Sequence, residues 1–181
     1  MPPAGEKDTA KRMRLYIVRH GIAELRNISS GLDRDRALTA EGVREMELEA
    51  RGLARAGCIP GALLCSPLVR ARQTAEILLG AFGPGVSMAV SDNLAPGGDR
   101  AALYREIARR SKEGGSLMLV GHQPSLGEIA GDLAWGSPGC YVRLETGGVC
   151  AVDLEPFQGT LRGEMVLLVT PSVLRALAPQ G

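Results

Sequence analysis

Three short apolar runs set what this chain can become: Leu15–Val18, Ala62–Cys65 and Leu117–Val120. Each is too short for a helical stripe, and each is apolar at successive positions, the pattern of a strand covered on both faces. Each stops abruptly at polar residues: Arg19-His20-Gly21, Ser66-Pro67 and Gly121-His122-Gln123-Pro124. Helical periodicity fills the space between. Thr39 reads as an N-cap with Glu41 in the first turn. Val43, Met46, Ala50, Leu53 and Ala54 then form an apolar stripe that ends near Gly57. Ser66 and Pro67 read as the N-cap and first position of a second helix, with Leu68, Ala71, Ala75, Leu78 and Leu79 on its inner face. A weak strand, Ser87–Val90, precedes a third helix capped by Asp99 and running through Arg109, with Leu103 and Ile107 inward. Ser125–Trp135 is a fourth helix. From Val142 onward no helical period is visible; Val149–Leu154 and Met165–Val169 read as two antiparallel strands around a turn at Glu155–Thr160. The order predicts a three-layer α/β/α domain over residues 14–181 with a mostly parallel central sheet, behind a flexible tail over 1–13.

In such sheets ligands sit at the carboxyl edge of the strands. The chain has only two histidines, His20 and His122, and both stand beside a glycine directly after an apolar strand. Arg70 falls in the first turn of the second helix, where side chains lean back toward the helix start. If the three strands are neighbours, Arg19, His20, Arg70 and His122 converge near the positive end of that helix. Four donor groups with no evident neutralising partner suit a tetrahedral dianion. Taken singly each has an ordinary reading: a strand-capping histidine, a solvated helix arginine, a satisfied turn histidine. The polar segment from Gly21 to Leu38 is longer than a simple connection needs, which marks it as functional or mobile.

Composition removes several classes of function. A net charge of +1, scattered arginines and 3% aromatic residues give nothing to hold a nucleic acid. No apolar run reaches the length of a membrane span, and the polar N-terminus lacks the apolar core of a signal peptide. None of the four cysteines forms a C-x-x-C pair, which with two histidines argues against a zinc site. Cys65 and Cys150 lie in apolar runs, as free thiols do in a reducing, cytoplasmic setting.

Three blocks carry a resemblance: Leu-Tyr-Ile-Val-Arg-His-Gly (15–21), Cys-Ser-Pro-Leu-Val-Arg-Ala-Arg-Gln-Thr-Ala (65–75) and Leu-Val-Gly-His-Gln-Pro-Ser-Leu (119–126). In this order they resemble the signature blocks of the histidine phosphatase, or phosphoglycerate-mutase-like, superfamily, and in particular its SixA-type phosphohistidine phosphatase branch. The resemblance implies a phosphoglycerate-mutase-like fold and catalysis without metal or cofactor. It makes His20 the nucleophile and places Arg19, Arg70 and His122, with Gly21, around the phosphoryl group. Asp33-Arg34-Asp35-Arg36-Ala37-Leu38-Thr39 matches the stretch that supplies an Asp and an Arg in that branch, which gives Asp33 a catalytic and Arg36 a phosphate-binding role. The implied activity is removal of phosphoryl groups from phosphohistidine in a protein, with inorganic phosphate as product. The alternatives are a small-molecule phosphomonoesterase of the same superfamily and a non-catalytic phosphate- or phosphoprotein-binding module.

Arginines around His20 favour its neutral, nucleophilic form. Many relatives carry a general-acid Glu after the third strand, but here the loop is Ser91-Asp92-Asn93-Leu94-Ala95-Pro96-Gly97-Gly98. Imidazole leaves phosphorus far more readily than an alkoxide, so the missing acid favours P–N substrates. Asp33 is the first candidate for a proton donor, and the sequence leaves open that Asp92 or Asp99 reaches in. Glu145 stands where SixA-like chains often carry Lys. Trp135 and Tyr141 follow the third block and fit either core or rim.

Overall fold

The computed structural model describes residues 12–25, 32–137, 139–157 and 160–179. The expected tail lies outside the described residues except for Arg12 and Met13, and Met13 already opens β1 (Met13–Arg19). Residues 26–31 of the long polar segment also lie outside them. The remaining strands are β2 (Ala62–Cys65), β3 (Ser87–Val90), β4 (Gly115–Gly121), β5 (Val149–Phe157) and β6 (Thr160–Val169). They form one six-stranded sheet in the order β3-β2-β4-β1-β5-β6. The first four in that order run parallel; β5 is antiparallel to β1, and β6 to β5.

Register fixes where the strands end. Val120 of β4 pairs with Val18 of β1 on one side and Cys65 of β2 on the other. All three strands therefore end at one level, and the polar residues after them emerge together.

Side-chain alternation sorts the core into two layers. Leu15, Ile17, Leu64, Leu117 and Leu119 pack with Leu103 and Ile107 of α3 (Arg100–Ser111) and Leu126 and Ile129 of α4 (Ser125–Trp135). Tyr16, Val18, Leu63, Cys65, Met118 and Val120 pack on the opposite face. Their partners there come from α1 (Ala40–Arg55), α2 (Val69–Phe82) and α5 (Pro171–Leu177). Each fully buried leucine or isoleucine in these layers contributes about 1.5–3 kcal/mol. The expected caps form: Thr39 Oγ1 accepts from the Gly42 N–H at 2.9 Å, and Asp99 Oδ1 accepts from the Ala102 N–H at 2.9 Å.

Three expectations change. First, α2 starts at Val69 with Leu68 at its N-cap, two residues later than the Ser66-Pro67 pair suggests. Ser66 Oγ accepts from the Leu68 N–H at 3.3 Å and spends its other capacity on the His122 ring. Second, β5 continues through Phe157, so most of the expected turn at Glu155–Thr160 is strand. Third, α5 is a helix that no period announces. It is only seven residues long, and only Pro171 and Leu174 in it are buried, so it offers no repeating stripe to read. It docks closely on α1 at Gly52, where a Cβ would collide with the Leu174 carbonyl. Arg175 of α5 completes the junction, its Nη1 donating to Glu49 Oε1 at 2.6 Å and Glu45 Oε2 at 3.2 Å. Among the described residues no helix is long and apolar enough to cross a membrane.

Candidate active site

Backbone hydrogen bonds lock the three strand ends together. The His20 N–H donates to Gly121 O at 3.0 Å and the Ser66 N–H to Val120 O at 2.9 Å. The segment before β5 closes a further side: the Arg19 N–H donates to Gly148 O at 3.1 Å, and the Gly147 N–H donates to the carbonyls of Arg19 and His20 at 3.1 and 3.2 Å. Gly147 sits at φ +80°, a conformation suited to glycine.

The His20 imidazole is 9% exposed. Its Nδ1 lies 2.7 Å from Gly21 O, and a carbonyl only accepts, so Nδ1 carries the proton. That leaves the Nε2 lone pair facing Arg70, whose Nε donates to it at 3.3 Å. The ring of His122 lies 5.1 Å from that of His20, centroid to centroid. Its Nε2 is 2.7 Å from Ser66 Oγ, while its buried Nδ1 has no protein partner among the described residues. Arg19 donates through Nη1 to Leu144 O at 2.9 Å, and its buried Nε is likewise unpartnered among them.

The described parts of the segment after Gly21, residues 22–25 and 32–38, fold back over this cluster. Ala23 and Leu38 form a β-bridge, and the Leu38 N–H donates to Gln73 Oε1 on α2 at 2.7 Å. A 3-10 turn, Asp33–Asp35, is thereby held above the strand ends. Arg70 donates through Nη1 to Asp33 O at 2.8 Å and through Nη2 to Asp33 Oδ2 at 3.1 Å. Arg36 donates to Asp33 Oδ1 at 2.9 Å and to Glu24 O at 2.6 Å.

Burial, followed by the charges of Arg70, Arg19 and Arg36, pushes His20 down to about 4, against the opposing pull of the Gly21 carbonyl. Burial and the neighbouring His20 and Arg70 push His122 down to about 3. The hydrogen bond from Arg36, with help from Arg70, holds Asp33 below the ordinary carboxylate range. Near neutral pH the site is a pair of neutral imidazoles, a carboxylate and three guanidinium groups. Stability should therefore depend on pH, with a definite sign. As pH falls below about 6.5, the unfolded chain protonates both histidines while the folded chain resists until about pH 4. Stability is fully present above that window and is lost going down through it, by about 1.4 kcal/mol for each unit of depression. Asp33 acts in the same direction at lower pH, because a depressed acid loses its contribution as pH falls through its folded value. Urea denaturation between about pH 7 and pH 5 should show a falling midpoint; a flat midpoint would contradict a buried neutral pair.

All six side chains singled out in the sequence meet here: Arg19, His20, Asp33, Arg36, Arg70 and His122. Three details differ from expectation, and two open readings are resolved. The donors do have a neutralising partner, since the Asp33 carboxylate bridges Arg36 and Arg70. Asp33 is consequently held ionised and accepting, the wrong form for a proton donor. Gly21 does not turn its N–H to the pocket; that group donates to Thr74 Oγ1 at 3.1 Å, and a Cβ on Gly21 would lie 2.7 Å from Met46 Cγ. Asp99 caps α3, and Asp92 is exposed at the start of a 3-10 turn. Trp135 and Tyr141 are about half-exposed, so neither belongs to the core. Sequence reasoning passed over Ser66 as the partner of His122 and Thr74 as the anchor of Gly21, and it read residues 144–148 for Glu145 alone, not for the backbone contacts of Leu144, Gly147 and Gly148. The Ser-Pro and Gly-Gly pairs were visible signals, but a cap and a turn explain them equally well without tertiary context.

The chain matches the family described as Histidine phosphatase superfamily (branch 1) over residues 15–113. It is 39% identical to an uncharacterised protein of Picosynechococcus sp. strain PCC 7002, over 90% of this chain and 99% of that protein. It is 30% identical to the phosphohistidine phosphatase SixA of Escherichia coli K12, over 84% of this chain and 93% of that one. Its fold superposes on a solved structure of the protein histidine phosphatase SixA complexed with tungstate at a TM-score of 0.78. That alignment has 28% identity and covers 90% of this chain and 99% of the other.

Proposed function

The chain belongs to branch 1 of the histidine phosphatase superfamily and is a phosphatase, and from that premise we propose that it removes phosphoryl groups from phosphohistidine in a protein substrate by way of a phospho-His20 intermediate. The observation that carries this reading is the locked tautomer of His20. With Nδ1–H on Gly21 O, the Nε2 lone pair stands ready among buried donors.

In the first step Nε2 of His20 attacks phosphorus in line. The bond from phosphorus to the substrate imidazole breaks, its electron pair returning to that nitrogen. The substrate ring leaves neutral when its other nitrogen carries the proton. The unpartnered Arg19 Nε and His122 Nδ1 supply donors to the equatorial oxygens. For His122 this requires the Ser66 hydroxyl to donate to Nε2, which leaves the proton on Nδ1. Arg70 and Arg36 complete the set as Asp33 yields them to the entering dianion. Water then attacks the phospho-His20 bond, releasing inorganic phosphate and restoring the imidazole. The arginines supply the positive charge that a metal supplies in other phosphoryl transfers, so the reaction runs without one.

Tungstate is a tetrahedral oxyanion, and its complex with SixA supports the same use for this pocket. The ionised Asp33 and a loop over residues 91–98 that lacks the general-acid Glu favour a P–N bond, because an alkoxide would leave without a proton. A cytoplasmic setting accords with the four free cysteines, two of them buried. The test is turnover, with EDTA present, of a phosphohistidine-bearing protein against p-nitrophenyl phosphate. Preference for the P–N substrate is expected. Preference for the ester would point to a small-molecule phosphomonoesterase, and silence on both, with phosphate still bound, to a binding module.

A further inference from the structure

Tyr141 is 48% exposed, yet nothing about it is loose. Its hydroxyl donates to Gln123 Oε1 at 2.9 Å, and the same oxygen accepts from the Gly127 N–H of α4 at 3.1 Å. Gln123 Nε2 donates back to Val142 O at 3.2 Å, and the Val142 N–H donates to Gly127 O at 3.0 Å. The ring lies flush against α4, where a Cβ on Gly127 would stand 2.5 Å from Tyr141 Cε2. One turn on, a Cβ on Gly131 would strike the Cys140 carbonyl. Two glycines on one helix face thus seat residues 140–142 at a fixed height.

That seat adjoins the anion pocket on two sides. Gln123, which holds the phenol, directly follows His122. Three residues after Tyr141, the Leu144 carbonyl accepts from Arg19 Nη1 at 2.9 Å. A half-exposed aromatic ring thus stands between two segments that line the pocket, tied to Gln123 beside His122 and three residues before Leu144, in a chain with only three tyrosines, two phenylalanines and one tryptophan.

We propose that Tyr141 is a specificity-determining platform on which the imidazole of the substrate phosphohistidine rests while its phosphoryl group enters the Arg19–His122 pocket. The inference depends on the phosphohistidine reading and names the group that reads the leaving ring. The phenol is already held by the Gln123 bond and by α4, so stacking costs little ordering.

The experiment compares phosphohistidine with phosphoramidate, which has the same P–N bond and no ring, for wild type, Tyr141→Ala and Tyr141→Phe. Tyr141→Ala should lower the kcat/KM ratio of phosphohistidine over phosphoramidate about 5- to 10-fold, chiefly through KM for phosphohistidine. Tyr141→Phe keeps the face and should hold the ratio within about twofold of wild type. Equal losses on both substrates would reduce Tyr141 to a structural prop and overturn the proposal, as would an unchanged ratio in Tyr141→Ala. A wild-type protein that cleaves p-nitrophenyl phosphate but leaves phosphohistidine intact would overturn the parent reading instead, and the platform with it.

Discussion

His20→Ala is expected to lower turnover of a phosphohistidine-bearing protein by at least ~10³-fold, while orthophosphate still binds within about tenfold of wild type. The two effects separate because they rest on different groups. Turnover needs a lone pair aimed at phosphorus, and only Nε2 of His20 combines a neutral imidazole with a fixed tautomer and a place among the donors. His122 is no substitute, since its Nε2 is occupied by Ser66. Binding needs charge and donors, and Arg19, Arg36, Arg70 and His122 all survive the substitution. A trapped, acid-labile phosphoenzyme should form in wild type and vanish in the variant. Retained turnover would remove His20 as nucleophile. Lost phosphate binding would mean that the imidazole holds the pocket open as well as reacting in it.

Arg70→Ala is expected to weaken orthophosphate binding about 100-fold and to lower turnover by about 10²–10³-fold. Arg70 is 5% exposed and is the hub of the site, donating to His20 Nε2, to Asp33 O and to Asp33 Oδ2. Removing it takes a charge from the anion, orientation from the nucleophile and a tether from the turn at Asp33–Asp35. Arg70→Lys should recover little, because an ammonium cannot meet three acceptors held at the angles a guanidinium spans. Arg70→Ala should also raise the His20 pKa, since the Arg70 charge, after burial, is one of the influences that lower it. Isothermal titration with orthophosphate measures the first effect, and an affinity equal to wild type would dissolve the convergent site.

Much of this site is legible in the sequence because its parts are local. Runs such as Leu117–Val120 announce buried strands, and the residues that end them need no knowledge of the rest of the chain. The caps at Thr39 and Asp99 form as their sequences suggest, because a cap depends on residues two or three positions away. The start of α2 departs from its local signal for a physical reason: Ser66 and Pro67 fit a helix start, but the serine hydroxyl is claimed by His122, 56 residues later. Helix α5 is invisible in the sequence because it is justified by Gly52 of α1 and by Glu45 and Glu49, more than a hundred residues earlier. Asp33 shows the same limit in chemistry. Its hydrogen bond from Arg36, which does most to keep it ionised, is a three-residue matter, but its grip on Arg70, 37 residues away, is what makes it a clamp across the site.

The chain alone therefore determined the alternation of strands and helices, the parallel sheet, and the identities of the cation and imidazole groups at the strand ends. Those follow from spacing, side-chain type and the one-dimensional order of apolar runs. Tertiary structure decided which nitrogen of His20 is free, which donors on Arg19 and His122 lack partners, and what neutralises Arg70. Each of these turns on a distance of about 3 Å between groups far apart in sequence, and only the common register of β1, β4 and β2 brings them to one level.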